Sequence, residues 1–459
     1  MKKSTIMASG LIAVIPLYCG ATWITGIIAR SRMETAMTHI TDQAHGTIRI
    51  ASRKSVNHFF TGSEDITFEI DNPVLKTLLK SATEDSSPTQ FVIHNDIAYG
   101  PLPGFRSVGV ARVETTLVLT DAQRTTLIEY IGTDKPFAFF TTFGYFGNSY
   151  FDVVSRKFDF HSKDSLETGT WKGGKLSFDV SQDLKDVSFT GSMPGLVVNG
   201  KNNSQLNVDD ISLKGALQRK FEVLFTGNES FGIGNVSFND PSDSKSSVSA
   251  KNLVYGVTIG ADDHFINFKA NFGSGAFATR NMVFKEMHFD FGMDHLDAVA
   301  LASLYNAMEE WRMDQYKDKN ADAAQNEADV KARAEHLKQD LLTLLQHSPV
   351  LNLNNVGFAT ADGILTTTGT ATIDSVVAED LSPDVRFDAL AKKIQAQTDI
   401  SIDQSLIDHW PIAESAESVR TSIKQFEAAG FISRKGATLQ SHLEYKEGKL
   451  TANGKQIGG

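Results

Sequence analysis

Cysteine is almost missing from this chain: Cys19 is the only one among 459 residues. No intrachain disulfide can form, and no thiolate zinc site or cysteine nucleophile can arise beyond residue 19. Basic charge is also in deficit, since 44 Lys and Arg face 55 Asp and Glu for a net charge of −11. A positive field that would hold a nucleic-acid backbone is therefore excluded. Only 11 prolines occur, and with 41% hydrophobic and 22% charged residues the composition is that of a folded chain rather than a disordered one. Catalytic signatures are lacking too: no G-x-S-x-G, H-E-x-x-H or G-x-G-x-x-G is present. Gly169 with Gly174-Lys175, and Gly195 with Gly200-Lys201, have phosphate-loop spacing, but Leu176 and Asn202 replace the hydroxyl that would bind magnesium. Both lead into strand or turn and are read as hairpins. No cofactor is implied.

What is present begins with an apolar run. None of residues 4–29 is charged, and the 24 residues Ile6 to Ala29 would span about 36 Å as a helix at roughly 1.5 Å per residue, enough for a hydrocarbon core of about 30 Å. One transmembrane helix is expected, with Ile6, Leu11, Ile15, Trp23 and Ile28 as anchor residues. A cleaved signal peptide fits less well, because its apolar region should end after about 7 to 15 residues at small side chains, whereas Trp23, Ile24, Ile27 and Ile28 continue. A lipoprotein signal at Cys19 is disfavoured by the bulky Tyr18 before it. Lys2 and Lys3 on one side and Arg30 and Arg32 on the other leave orientation nearly tied.

Beyond the anchor, strand-like segments run over Thr47 to Phe60, Glu64 to Ile70 and Phe91 to Tyr99, with helical turns over Met33 to His45, Pro73 to Lys80 and Arg124 to Tyr130. From Phe137 to Phe291 short apolar runs alternate with turn residues such as Gly173-Gly174, Asn199-Gly200 and Asp240-Pro241. Ile266, Phe268, Ala270 and Phe272 alternate with polar residues, as in an antiparallel strand with one wet face. A long meander is expected rather than a compact barrel. Leu296, Ala300, Leu304, Met308 and Trp311 then form one helical stripe, and Val330, Ala334, Leu337, Leu341 and Leu344 a second with coiled-coil spacing. Packing on the protein's own sheet is the expected role of this second stripe, and an intermolecular helix pair is the alternative. Val356 to Thr360 and Ile364 to Ile373 flank Asp362-Gly363 as a hairpin. Pro383 to Thr398 and Ser415 to Ala429 read as helices, the latter closed by Gly430, and short strands turn at Glu447-Gly448 and Asn453-Gly454.

The expected fold is mainly β with helices (α+β): a long twisted antiparallel sheet, helix-covered, preceded by one transmembrane helix. Its segments are 1–30 (tip and anchor), 31–135 (α+β), 136–295 (sheet), 296–348 (helical insertion) and 349–459 (α+β, continuing the sheet).

The anchor, His94-Asn95-Asp96-Ile97-Ala98-Tyr99-Gly100-Pro101-Leu102, the run His288 to Ala298, Pro349 to Gly363 and Tyr445 to Lys455 together resemble the YdgA-like family. This is a bacterial family of membrane-anchored envelope proteins of unknown function. The resemblance implies an inner-membrane, single-pass protein with its bulk in the periplasm, and transfers no catalytic residues.

Two groups of residues carry candidate chemistry. Glu286, His288 and Asp290 alternate along one strand, with Asp294, His295 and Asp297 just beyond, a donor set that suits a divalent ion. A solvated polar face explains the same alternation and is preferred, so no metal is expected; the cluster of His264 with Asp262 and Asp263 is read likewise. The 30 phenylalanines, against 9 tyrosines, are concentrated in Phe137 to Phe146, Phe221 to Phe238 and Phe265 to Phe291. Phe has no polar handle, so these strands form either a closed core or an apolar face open to acyl chains. The expected function is non-enzymatic: a membrane-anchored periplasmic scaffold or lipid-handling module. Its partners are the bilayer, acyl chains or another envelope protein, and self-association is left open. The alternatives are an envelope hydrolase using strand-borne carboxylates such as Glu286 and Asp290, and a partner-recruiting anchor acting through Val330, Leu337, Leu341 and Leu344.

Overall fold

The computed structural model describes residues 18–19, 21–35, 37–38, 48–70, 90–162, 166–221, 223–242, 246–279, 282–314, 323–374, 376–381, 390–410 and 415–457. Among them the protein is mostly β: 22 strands join in one large antiparallel sheet, with six helices. The meander expected from the turn spacing is what forms. The chain divides into two compact units, Met1–Met193 and Pro194–Gly459.

In the first unit β1 (Ile48–Asn57), β2 (Thr61–Ile70), β3 (Gln90–Tyr99), β4 (Ala111–Val118), β5 (Phe137–Phe143) and β6 (Ser149–Ser155) pair in sequence order. After the hairpin of β7 (Phe158–His161) and β8 (Thr168–Trp171), β9 (Gly174–Val180) pairs with β6 and with β10 (Asp186–Asn199). A helix, α1 (residues 21–35), lies against this sheet. Its small residues permit close approach: a Cβ on Gly26 would stand 3.6 Å from the Tyr99 ring, and Ala29 is fully buried with Met33, Ile97, Tyr99, Val110 and Phe143. The short helix α2 (Asp121–Ile131) starts at a reciprocal cap between Thr120 and Gln123 and ends at Gly132, whose φ is +74°.

The expected span from Ile6 to Ala29 is described only in part. Residues 6–17, with Ile6, Leu11 and Ile15, lie outside the described residues. In the described part, Thr22, Thr25, Ala29 and Met33 are buried on the sheet, while Trp23, Ile24, Ile27 and Ile28 face outward. Among the described residues no helix is long and apolar enough to cross a membrane.

The second unit, taken by itself, is also built strand by strand. β11 (Gln205–Phe221), β12 (Leu224–Asn239), β13 (Val248–Ala261), β14 (Phe265–Thr279) and β15 (Val283–Asp297) are followed by β16 (Val350–Ala359), β17 (Ile364–Ile373) and β18 (Ile394–Asp403). β19 (Ser433–Lys435), β20 (Thr438–Lys446), β21 (Lys449–Ala452) and β22 (Lys455–Gln456) finish the order, with β20 pairing β18, β19 and β21. Glu447-Gly448 and Asn453-Gly454 have the paired positive φ values of tight hairpins. The helices are α3 (Ala298–Asp314), α4 (Ala323–Gln346), α5 (Gln404–Asp408) and α6 (Ala416–Ala429), and α6 closes at Gly430 with φ +77°.

Two expectations fail here. Pro383 to Thr398 was expected to be helical, yet Ile394, Ala396, Thr398, Ile400 and Ile402 alternate with polar residues and form β18, while residues 382–389 lie outside the described set. The helical cover is also local, because α3 and α4 meet the sheet at β11 and β15, around Phe221, Ile266 and Leu296.

A seam crosses five of these strands. Asp210, Asn252 and Glu286 have left-handed backbone, with φ of +56°, +50° and +50°, and alternate across the sheet with Gly234 and Gly275. Side chains alternate faces along a strand, so one extra residue in a non-extended conformation flips the parity. Every strand flips at the same row. Val208, Val236, Ala250, Phe277 and Phe284 pair in succession on one side of the seam, and Ile211, Ile233, Leu253, Ser274 and Met287 on the other. The apolar face thus stays on one side of the sheet. The glycines make room for their neighbours: a Cβ on Gly234 would stand 2.9 Å from the Asp210 Cβ.

Asn tolerates left-handed backbone, whereas a β-branched residue there costs about 1–3 kcal/mol. Replacing Asn252 with Val should lower stability by about that amount, and replacing it with Gly should leave stability unchanged or slightly raised. Urea denaturation of both variants checks this, and equal midpoints would refute a strained seam.

Candidate functional site

The apolar face created by the seam is the most extensive candidate surface in the second unit. Leu213, Phe231, Tyr255, Phe272 and Phe289 stand opposite one another across β11 to β15, and Val356 follows on β16. A core ladder would be sealed. Here Phe231, Tyr255, Phe272 and Phe289 keep 38%, 42%, 48% and 47% of their surface exposed, while Val257 and Ala270, paired two residues along the strands, are buried. Phe289 and Phe291 lie with ring centroids 5.6 Å apart, and Phe268 and Phe291 at 5.7 Å. A hollow of about 330 Å³ continues the face, lined by Phe289, Phe291, Leu351, Leu353, Ala371 and Ala396. Thr370 and Thr398 are among the few polar groups at its edge. Such a surface offers burial without a charge or a directional donor at its centre.

The polar candidates lie elsewhere. Phe289 and Phe291 face the apolar side, so His288 and Asp290, which alternate with them, face the other. Glu286 sits in the seam, and its bulge breaks the even spacing expected of Glu286, His288 and Asp290. Asp294 accepts from Asn352 Nδ2 at 2.7 Å, and Asp297 caps α3 by accepting from the Ala300 amide at 2.8 Å. Among the described residues no group of three His, Cys, Asp or Glu side chains could hold a metal ion. Asp262 accepts the amides of His264 and Phe265 in a turn, and these two bonds hold its carboxyl below the usual range. Lys175, from one of the glycine near-motifs, pairs with Asp152 at 3.0 Å between β9 and β6, as a hairpin residue would.

In α4, Leu337 and Leu344 are half-buried, Leu341 is 40% exposed, and the side chain of Val330 lies outside the described residues. Leu342, outside the expected stripe, is the buried one, and Leu344 packs against Ile266, Leu296 and Ala298. Asp340 accepts from Ser303 of α3 at 2.7 Å, so the two helices are also joined by a polar contact.

Sequence reading missed a buried polar row in the first unit. Glu64 and Asn95 are only 3% and 2% exposed. Arg53 of β1 donates to Glu64 of β2, Asn95 Nδ2 of β3 donates to Glu64 at 3.4 Å, and Thr115 of β4 donates to Asn95 at 2.7 Å. Arg53 also pairs with Glu34 of α1. Tyr99 donates to Asn57 at 2.6 Å, and its burial pushes the phenol pKa up. A hollow of about 270 Å³ borders Arg53, Glu64 and Tyr99. The row ties four strands and a helix together, and its groups consume one another's hydrogen-bonding capacity. A roomier hollow, about 750 Å³, lies beside α2 but is edged by Asp134, Lys135, Arg156, Lys157 and Asp159. Period-two spacing of Glu64, Ile66 and Phe68 placed the carboxylate on the buried face, a signal available in the sequence.

Comparison with known proteins gives one family. The sequence model described as "Bacterial protein of unknown function (DUF945)" matches residues 1–458. No curated protein and no solved structure matches the chain.

His94, within the segment that carried the resemblance, sits opposite Asp65 across β2 and β3. Its Nδ1 lies 2.6 Å from Asp65 and its Nε2 3.3 Å from Asp96. The hydrogen bond to Asp65 is the largest influence raising its pKa above 6.5. A raised folded-state pKa stabilises the fold fully below 6.5, and the contribution disappears as pH rises through the higher folded value. Replacing His94 with Gln should flatten that decline, as read from urea midpoints across pH 5.5 to 8.5 (roughly the histidine range). An unchanged slope would refute the assignment.

Proposed function

The chain belongs to the DUF945 family of bacterial proteins of unknown function, and we propose that it is a non-enzymatic lipid-handling module which holds acyl chains on the apolar face of its second unit. We read it as a YdgA-like envelope protein, anchored in the inner membrane by the apolar run from Ile6 and carrying its bulk in the periplasm. The observation that carries the lipid reading is the aromatic ladder Phe231–Tyr255–Phe272–Phe289. Four half-exposed rings in register on adjacent strands form a continuous dry stripe, whereas singly exposed rings would need no ligand. Acyl chains suit it because they need burial and no hydrogen bonds, at about 0.8 kcal/mol per methylene removed from water. The carboxylates that a hydrolase would use lie in the seam or on the opposite face, away from this stripe.

The full chain, purified from a bacterial host, should retain phospholipid or fatty acid detectable by mass spectrometry. A photoactivatable fatty acid should crosslink to peptides of β13 to β16. Replacing Phe272 and Phe289 together with Ser should reduce retained lipid by about tenfold or more, with thermal unfolding monitored as a control for folding. Lipid content unchanged in a folded double variant, or crosslinks on the His288 face, would overturn the reading.

A further inference from the structure

Four hairpin connections of the first unit meet at one end of its sheet: residues 58–60, 100–110, 144–148 and 181–185. Three of them are built from apolar tips. Phe59 and Phe60 are 48% and 45% exposed, Leu102 and Phe105 41% and 79%, and Phe146 93%. These tips are held, not frayed. Tyr18 stacks on Phe60 and Phe105 with centroids at 6.3 and 5.8 Å and donates to the Leu102 carbonyl at 3.2 Å. Tyr145 donates to the Pro101 carbonyl at 2.8 Å, and Arg32 of α1 binds the carbonyls of Gly144 and Tyr145.

We propose that this loop end is a membrane-contacting surface, with Phe59, Phe60, Leu102, Phe105 and Phe146 seated in the headgroup boundary of a bilayer. The inference goes beyond acyl binding by the second unit and rests only on the membrane-proximal part of the reading above. Three observations select a bilayer as the occupant. The chain immediately before Tyr18 is uncharged from residue 4 onward, so its apolar run joins the protein at this cluster. Loops 58–60, 100–110 and 144–148 contain no Asp or Glu and include Arg106, Asp183 of the fourth connection is paired with Lys185 at 3.3 Å, and Arg30 and Arg32 lie on the adjoining helix, a charge pattern that suits anionic headgroups. Hairpin tips also present no free strand edge on which a protein partner could add a strand. Aromatic rings at such a boundary bury their apolar bodies while the neighbouring backbone and Arg side chains stay wet.

The test uses the full chain with Cys19 replaced by Ser and a single new cysteine, Phe105→Cys or Phe146→Cys, carrying an environment-sensitive NBD label. Lys135→Cys, in the connection before β5 at the other end of the strands, serves as control. Vesicles of phosphatidylethanolamine with a minority of phosphatidylglycerol are added and separated by flotation. On floated protein, the labels at 105 and 146 should shift to the blue and be quenched severalfold by brominated acyl chains, and the label at 135 should do neither. Floated chain with all three labels equally wet would overturn this surface while leaving the anchor standing. A chain that does not float would overturn both. A blue shift without vesicles that grows with protein concentration would assign the surface to a second copy of the chain and likewise overturn the proposal.

Discussion

Strict two-residue alternation of side chains is the constraint on which the second unit depends. A strand as long as β11, with 17 residues, can keep one apolar face only if every departure from extended backbone is matched on its neighbours. A lone bulge would turn the rest of its strand inside out relative to the next, setting Leu and Phe against Ser and Asn. The seam through Asp210, Gly234, Asn252, Gly275 and Glu286 avoids this by flipping five strands at one row, so pairing resumes without a register shift from β11 to β14. Left-handed backbone at Asp210 and Glu286 carries a conformational cost of order 1 kcal/mol each. Against that cost stands an apolar face that remains continuous on both sides of a local bend.

The first unit meets a different constraint, which is how to seat a helix on a sheet whose covered face contains a carboxylate. Glu64, burdened by desolvation, is acceptable there because Arg53 and Asn95 supply its hydrogen bonds and Arg53 reaches on to Glu34 of the helix. The helix has its own inversion of the usual pattern. Thr22, Thr25, Gly26 and Ala29 face the protein, and Thr22 and Thr25 return their hydroxyls to carbonyls one turn back in the helix. Their small volume allows the approach to Tyr99 and Gly100, which places the large side chains Trp23, Ile24, Ile27 and Ile28 on the outer face. A hydrophobicity count over this segment sees only a long apolar run. Packing of one face alone is what the count cannot register.

The same contrast explains what was legible in the sequence. Turn chemistry located hairpins such as Asp362-Gly363, Glu447-Gly448 and Asn453-Gly454, because glycine and asparagine are needed where φ is positive. Alternation located most strands, and the concentration of phenylalanine pointed to the apolar face. The seam was visible as well, as a three-residue step from Val208 to Ile211, Ile233 to Val236, Ala250 to Leu253 and Phe284 to Met287, but it acquires meaning only when the strands are aligned in register. Within the segment Pro383 to Thr398, expected as helix, a clean period-two alternation begins at Ile394, and that alternation is what the strand follows. Glu64 and Asn95 were read as strand residues without their partners, since the contact joins positions 31 apart and spacing along the chain does not encode it.

A chain with net charge −11 would, taken as a whole, be repelled by anionic lipid, and its apolar surfaces would then have to be explained by protein partners. Screening removes that objection. At physiological ionic strength charges farther than about 8 Å from a surface contribute little, so the relevant charge is that of the groups that approach it. At the loop end of the first unit those groups are Arg30, Arg32 and Arg106, with no carboxylate in the three aromatic loops, and in the fourth connection Asp183 is balanced by Lys185 at 3.3 Å. Carboxylates also stand on the polar side of the second unit's strands, as at Asp290. Charge and greasiness are therefore sorted rather than averaged, and the composition that excludes nucleic acid leaves contact with a bilayer electrostatically open.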